Sequence, residues 1–367
     1  MTDTRLKVRK SKNIVPEEIE KILVRGTNWI GDVIMSLPAV SAVRRTFPRA
    51  RIAVLAKPWV ADLYRACPDV DDVIVFQSPG VHGGLGGKIR LAGQLREEGF
   101  DLALLLQNAI EAALLAWHAH IPLRAGYDSD CRGPLLTHSV HRTRAIRRVH
   151  QVDYYLEMVR SLGFAAEGNG IHITVDDGAR AVAERILDGY GVQENDMLIG
   201  IAPGATYGPA KMWFPERFAA VADRLADELT AQVVLFGSAG DRERTERVRR
   251  HAAHPFINLA GKTTLKEAMA LIARCALFIS NDSGLMHLAG ALDVPLVAIF
   301  GSTDPATTSP PGDRSRIIRK DIPCSPCLKK ECPTDFACMD LIQADEVYDA
   351  ARRLLVPEDG SEQRGTG

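Results

Sequence analysis

Short apolar runs recur along this 367-residue chain, and each is followed by a polar loop and then by a segment with helical spacing. The first is Lys21 to Arg25 (KILVR), after which Val33, Ile34, Leu37, Val40 and Val43 fall on one face of a helix. Arg51 to Leu55 (RIAVL), Val73 to Phe76 (VIVF) and Asp101 to Leu106 (DLALLL) continue the series. Met197 to Ala202 (MLIGIA), Gln232 to Phe236 (QVVLF), Leu277 to Ser280 (LFIS) and Leu296 to Phe300 (LVAIF) begin it again, with helices such as Thr264 to Arg274 between them. Apolar runs of this length, without strict alternation, suit strands covered on both faces, as in a parallel sheet with helices on each side. The expected class is α/β, with two Rossmann-like parallel-sheet domains facing a central cleft.

The domain limits follow from changes in this pattern. Residues 1–20 read as a basic flexible arm (Arg5, Lys7, Arg9, Lys10, Lys12), 21–165 as the first domain and 166–178, rich in glycine and acidic residues, as a linker. The second domain is expected over 179–345, a last helix over 346–355 and a disordered tail over 356–367. Lysine and arginine total 45 against 46 acidic residues, which removes the global electrostatic argument for nucleic acid but leaves local basic patches. No stretch has the eighteen or so apolar residues of a membrane span and the N-terminus lacks a signal-peptide core, so the expected location is the cytoplasm. In that reducing compartment the seven cysteines read as thiols or metal ligands before disulfides.

In a doubly wound sheet ligands bind beyond the carboxyl ends of the strands, and three loops there carry unusual residues. The loop Gly26 to Asp32 (GTNWIGD) has two glycines and an aspartate at the start of a helix; by propensity alone Asp32 reads as the helix cap. The loop Pro203 to Trp213 (PGATYGPAKMW) offers a hydroxyl at Thr206 and a cation at Lys211 ahead of a helix near Pro215, a combination that suits a diphosphate. In Ser280 to His287 (SNDSGLMH), Asp282 is placed to cap a helix and leave the N–H groups of Ser283, Gly284 and Leu285 for phosphate, with His287 on the first turn. The glycine-rich stretch His82 to Lys88 (HGGLGGK) lacks the P-loop pattern and reads as a mobile loop, and the dinucleotide pattern GxGxxG is absent.

Three segments together, NWIGDVIMSLPAV (Asn28 to Val40), PGATYGPAKMW (Pro203 to Trp213) and SNDSGLMHLAGAL (Ser280 to Leu292), resemble the signatures of glycosyltransferase family 9, the ADP-heptose:lipopolysaccharide heptosyltransferases. The resemblance runs from about Lys21 to about Leu354, and Asn-Trp before Gly-Asp looks more like heptosyltransferase II than heptosyltransferase I. It implies a GT-B fold, an inverting transfer of heptose from ADP-heptose with Asp32 as general base, and no cofactor. Lys211 then serves as both catalytic and donor contact, with Thr206, Asp282, Ser283, Gly284, Leu285, His287 and Asp241 as further donor contacts. The acceptor, a lipid A–Kdo–heptose, is expected to meet Asn28, Lys57, Arg124, Arg144, Arg147 and Arg148, with peripheral contact to the inner membrane. None of the strands predicted above is followed by Asp-x-Asp, so Lys211 and the helix start near Ser283 are expected to offset the leaving diphosphate without metal.

One constellation stands outside this account. Cys324, Cys327, Cys332 and Cys338 could supply four thiolates to zinc, although their spacings fit neither a zinc ribbon nor a ferredoxin run. The plainer reading is a loop beside the cleft. The competing functions are a same-fold transferase with another donor or acceptor, and a nucleotide-sugar-binding protein without catalysis.

Overall fold

The computed structural model describes residues 6–355, so Arg5 of the basic arm and the tail 356–367 lie outside the described residues. The chain divides into two compact units after Thr174, within the stretch read as linker.

The first unit contains β1 (Val8–Lys10), β2 (Lys21–Arg25), α1 (Ile30–Thr46), β3 (Arg51–Ala56), α2 (Ala61–Arg65), β4 (Asp72–Val75), α3 (Gly84–Glu98), β5 (Leu102–Leu105), α4 (Ile110–His118), β6 (Leu123–Tyr127), β7 (His138–Val140) and α5 (Gln151–Ser161). Its sheet runs β1-β7-β6-β5-β2-β3-β4, parallel throughout except for β1. The second unit contains α6 (Asp177–Asp188), β8 (Leu198–Ala202), α7 (Pro215–Leu229), β9 (Gln232–Leu235), α8 (Arg242–His251), β10 (Ile257–Asn258), α9 (Leu265–Ala273), β11 (Leu277–Asn281), α10 (Gly284–Ala291), β12 (Leu296–Ile299), α11 (Pro305–Thr308), β13 (Ser315–Ile318), α12 (Ala337–Asp340) and α13 (Ala344–Leu355). Its sheet is wholly parallel, in the order β10-β9-β8-β11-β12-β13.

Leaving β1 aside, both sheets have the order third, second, first, fourth, fifth, sixth, the Rossmann order expected of each unit of a GT-B fold. The order reverses between β2 and β5 in one unit and between β8 and β11 in the other. Their central strands are buried from end to end, as the continuous apolar runs require.

Helix α1 departs from the one-sided pattern. Gly31 and every residue from Val33 to Val43 are buried, and α1, which packs along α5, is covered on more than one face. The capping box of Thr264 and Glu267 starts α9, each side chain taking the other's backbone N–H.

Two local expectations are corrected. The stretch His82 to Lys88 is not a loop: α3 begins at Gly84, and a Cβ on Gly87 would come within 2.5 Å of the His82 carbonyl carbon, so glycine lets the first turn lie against the preceding backbone. The arm is not free over residues 8–10, where β1 pairs antiparallel with β7, Val8 opposite Val140. Flanking bonds hold the pairing: His141 N donates to Lys7 O at 2.8 Å, Ser11 N to Thr137 O at 3.0 Å and Leu6 N to Ser161 Oγ at 3.1 Å. The segment was missed because a three-residue edge strand needs only one covered face and can be polar.

Deleting residues 1–10 removes β1 and leaves the edge of β7 open. The melting temperature should fall by about 2–4 °C for each kcal/mol lost, whereas an unchanged value in thermal unfolding would make this segment a loose arm after all.

Candidate active site

In the first unit the loops that leave β2 and β5 lie at the strand reversal. Leu106 N and Gln107 N both donate to Arg25 O, at 3.1 and 3.2 Å, so the two strand ends are joined before the loops part. Arg25, 2% exposed, braces the loop from within: Nη1 donates to the Gly26 and Leu55 carbonyls at 2.5 and 3.2 Å, and Nη2 to Asn28 Oδ1 at 3.2 Å. Burial lowers the pKa of this guanidinium to about 10. Gly26 is required for closeness, since a Cβ there would stand 2.6 Å from the Tyr64 hydroxyl, which accepts from Thr27 N at 3.0 Å. From the other side, Trp59 Nε1 donates to Asn28 O at 2.7 Å. Arg132, fully buried, does the same work for the β5 loop, with Nε on Tyr127 O at 2.7 Å, Nη2 on Asn108 Oδ1 at 3.1 Å and Nη1 on Gln107 O.

Asp32 is not the cap of α1. The N-cap is Trp29, which supplies no side-chain cap, and Asp32 lies half-buried in the first turn. The aspartate's position is therefore not explained by the N-cap bond that propensity suggested. Burial first, and then the charge of Asp32, push the Tyr155 hydroxyl on α5 well above the usual phenol range.

The expected acceptor residues separate into groups. Asn28 is in the braced loop. Lys57 follows β3, is buried, and donates from Nζ to Ser78 O at 2.7 Å while standing 3.9 Å from the centre of the Phe76 ring. Burial, and then the charge of Arg25, lower its pKa. Arg124 is the second residue of β6, and its guanidinium is held by the Leu135 and Ile121 carbonyls at 2.7 and 2.5 Å. It braces the connection from β6 to β7. Arg144, Arg147 and Arg148 are exposed between β7 and α5 and form no ion pair among the described residues.

In the second unit the two remaining loops meet where β8 and β11 pair. Lys211 Nζ donates to Asp282 Oδ2 at 2.6 Å, and Thr303 Oγ1 donates to the same oxygen at 2.5 Å. Asp282 is thus not the cap of α10. Its carboxylate, with a side chain 3% exposed, is the counter-ion of a lysine whose side chain is 13% exposed. The N-cap is Ser283, again without a side-chain cap, so the first turn carrying Gly284 and Leu285 lacks that partner; His287 is buried, the fourth residue of α10. A second clamp joins the loops: Asn281 Oδ1 accepts from Trp213 N at 2.9 Å and Nδ2 donates to Pro203 O at 2.7 Å. Arg244 adds Nε to Pro203 O at 2.8 Å and Nη2 to Trp213 O at 2.7 Å.

Thr206 is exposed on the same loop. Asp241 closes a turn: its Oδ2 accepts from Ser238 N at 2.8 Å and Ser238 Oγ at 2.6 Å. Its side chain lies against Gly204 and Gly237, where any Cβ would collide with it. The donor contact expected of Asp241 thus competes with a local capping task.

The cysteine-rich segment packs onto the Thr206 loop. Tyr207 Oη donates to Leu328 O at 2.8 Å, Ala210 N donates to Lys330 O at 3.0 Å, and a Cβ on Gly208 would strike the Lys330 carbonyl. Burial, and after it the charges of Cys324, Cys332 and Cys327, push the Cys338 thiol up. Among the described residues no group of three or more His, Cys, Asp or Glu side chains is arranged to hold a metal.

Thr303, Asn281, Arg244, Arg25 and Arg132 were not singled out from the sequence. Thr303 had a signal, since it lies in the polar loop just after the strand LVAIF. The arginines had none, because a buried guanidinium bound to carbonyls looks like any surface arginine until the chain folds.

The Lys211–Asp282 pair carries a stability prediction. Lys211→Met should destabilise by about 3 kcal/mol, the cost of an unpaired buried carboxylate, and Asp282→Asn in the same chain should recover much of it. Strictly additive losses in urea unfolding would mean that the two groups do not interact.

Residues 88–337 match the model of glycosyltransferase family 9 (heptosyltransferase). The lipopolysaccharide heptosyltransferase 2 of Salmonella typhimurium is 35% identical over 319 residues, covering 82% of this chain and 88% of the relative. The protein of that name from Escherichia coli is 34% identical over 315 residues, with coverage of 82% and 88%. Among solved structures, E. coli ADP-heptose lps heptosyltransferase II superposes with a TM-score of 0.75 at 31% identity, covering 91% of this chain and 98% of that one. The family 9 glycosyltransferase from Veillonella parvula gives 0.83 at 26% identity, with coverage of 94% and 99%. With strand reversals, site loops and sequence in agreement, the chain belongs to glycosyltransferase family 9, the heptosyltransferases.

Proposed function

We propose that this glycosyltransferase moves L-glycero-D-manno-heptose from ADP-heptose to the heptose of the lipopolysaccharide inner core. The observation that carries the reading is the pairing of a half-buried lysine, Lys211, with an α10 start that has no side-chain cap, at the strand reversal of the second unit. A nucleotide diphosphate needs both: N–H donors on a fixed helix end and one point charge. The relatives' names supply the donor and the acceptor class.

In this mechanism Asp32 takes the proton of the acceptor hydroxyl as its oxygen attacks the anomeric carbon, and ADP leaves from the opposite face, inverting the centre. The charge growing on the diphosphate is met by Lys211 and by the N–H groups of Gly284 and Leu285, with Thr206 as a hydroxyl donor and His287 beneath them. Asp282 holds the lysine in place before the donor arrives. No metal or cofactor takes part in this scheme. On the acceptor side Asn28 belongs to the loop that leads to Asp32, Lys57 follows β3, and exposed Arg144, Arg147 and Arg148 attract the phosphates and carboxylates of a lipid A–Kdo–heptose. No helix among the described residues is long and apolar enough to cross a membrane. The enzyme is proposed to work from the cytoplasm, peripherally on the inner membrane, and the basic residues of the first unit would add roughly 1 kcal/mol each near an anionic leaflet.

Turnover in excess chelator should match turnover without it. Under the same conditions Asp32→Asn should lower kcat by about 10²–10⁴, the range of lost general-base catalysis, while ADP affinity measured by calorimetry stays within a factor of about two. A variant that keeps near wild-type turnover would remove Asp32 from the chemistry.

A further inference from the structure

Three of the chain's four tryptophans are exposed, and two of them stand on the loop that leads to Asp32 and on the turn bonded to that loop: Trp29 is 61% and Trp59 is 51% exposed, whereas Trp117 is 47% exposed on α4 and Trp213 is fully buried in the other unit. Large aromatic rings left in water on a polar loop mark contact surfaces more often than they mark packing. These two belong together. Trp59 Nε1 donates at 2.7 Å to the carbonyl of Asn28, the residue immediately before Trp29, so the Trp59 plane is fixed against the loop that leads into α1. Below it, Lys57 Nζ stands 5.8 Å from the Trp59 ring centre and is itself tied to Ser78 O. The loop beneath both rings is braced by Arg25.

We propose that Trp29 and Trp59 form a stacking platform for a pyranose ring of the acceptor, with Lys57 placed for an anionic substituent of that sugar. The inference rests on the acceptor assigned under the proposed function. A pyranose presents one face of C–H bonds and a rim of hydroxyls. The polarised C–H face suits the electron-rich face of an indole, which leaves the rim to Asn28 and Asp32. The charge fits the same occupant. A cation buried to 8% exposure and hydrogen-bonded to a carbonyl is a recessed, directed group suited to one carboxylate or phosphate, whereas a bilayer is met by charges that reach outward.

The test uses the full-length protein with deacylated inner-core oligosaccharide as acceptor. Trp29→Leu, Trp59→Leu and the double variant should raise the KM for oligosaccharide, by roughly tenfold in the double variant, with little change in the KM for ADP-heptose. Trp59→Phe, which keeps a ring but loses the N–H donor, should fall between wild type and Trp59→Leu. In a Trp117→Phe background the oligosaccharide alone should quench intrinsic fluorescence, and phosphatidylglycerol vesicles alone should not. Equal changes in both KM values, no change in either, or quenching by vesicles but not by oligosaccharide would each overturn the platform. If the wild type transfers no heptose to the oligosaccharide, the proposed function fails first and the platform with it; transfer by wild type with unaltered variants removes the platform alone.

Discussion

Reversal of strand order at the middle of each sheet is the constraint on which the rest of this protein depends. Where neighbouring strands send their crossovers to opposite faces, the loops at their carboxyl ends part and leave an opening. Backbone groups there have no ladder partner, and unpaired buried groups are costly. Side chains fill the gap: Arg25 and Arg132 in the first unit, Asn281 and Arg244 in the second. Guanidinium suits the task because its rigid fork of donors can serve several carbonyls at once and stays charged even when burial lowers its pKa to about 10. The result is a set of loops held from beneath, so that the groups they carry are oriented before substrate binds.

The Lys211–Asp282 pair extends the same logic to charge. A lysine in water samples many rotamers, and fixing it costs up to about 2 kcal/mol in side-chain entropy. A carboxylate that is itself fixed by Thr303 removes most of that freedom in advance. Such a pair adds little net stability, because desolvation offsets much of the attraction. Its consequence is positional: the ammonium is already in place, as the diphosphate contact proposed for it requires. The cysteine-rich segment serves the same end by pinning Tyr207 and Ala210 of that loop from outside.

Much of this was legible in the sequence because burial on two faces leaves a continuous apolar signature. β2, β3, β4, β5, β8, β9, β11 and β12 each stand where such a run predicts a strand, and the three loops that carry Asp32, Lys211 and Asp282 are the polar gaps that follow. β1, β6, β7, β10 and β13 were not legible, being short, at or near a sheet edge, or carrying Arg124 and Gly126 within the strand. The helix caps failed for a different reason. Asp32 and Asp282 have cap propensity, but propensity is local, and the partner of Asp282 lies 71 residues away in the chain. The carbonyl partners of Arg124 likewise appear only once the chain folds, since Leu135 lies 11 residues on in the connection from β6 to β7.

Chemistry and fold come together in one claim, that the braced loops of the first unit present an acceptor to Asp32 while those of the second hold an ADP-linked sugar. The most direct test is mass spectrometry of a purified inner-core acceptor carrying a single heptose, after incubation with the purified protein and ADP-heptose, UDP-glucose or GDP-mannose in parallel. The account predicts an added mass of one heptose with ADP-heptose and none with the other two donors. An unchanged acceptor with ADP-heptose, or an added hexose from either alternative donor, would contradict it.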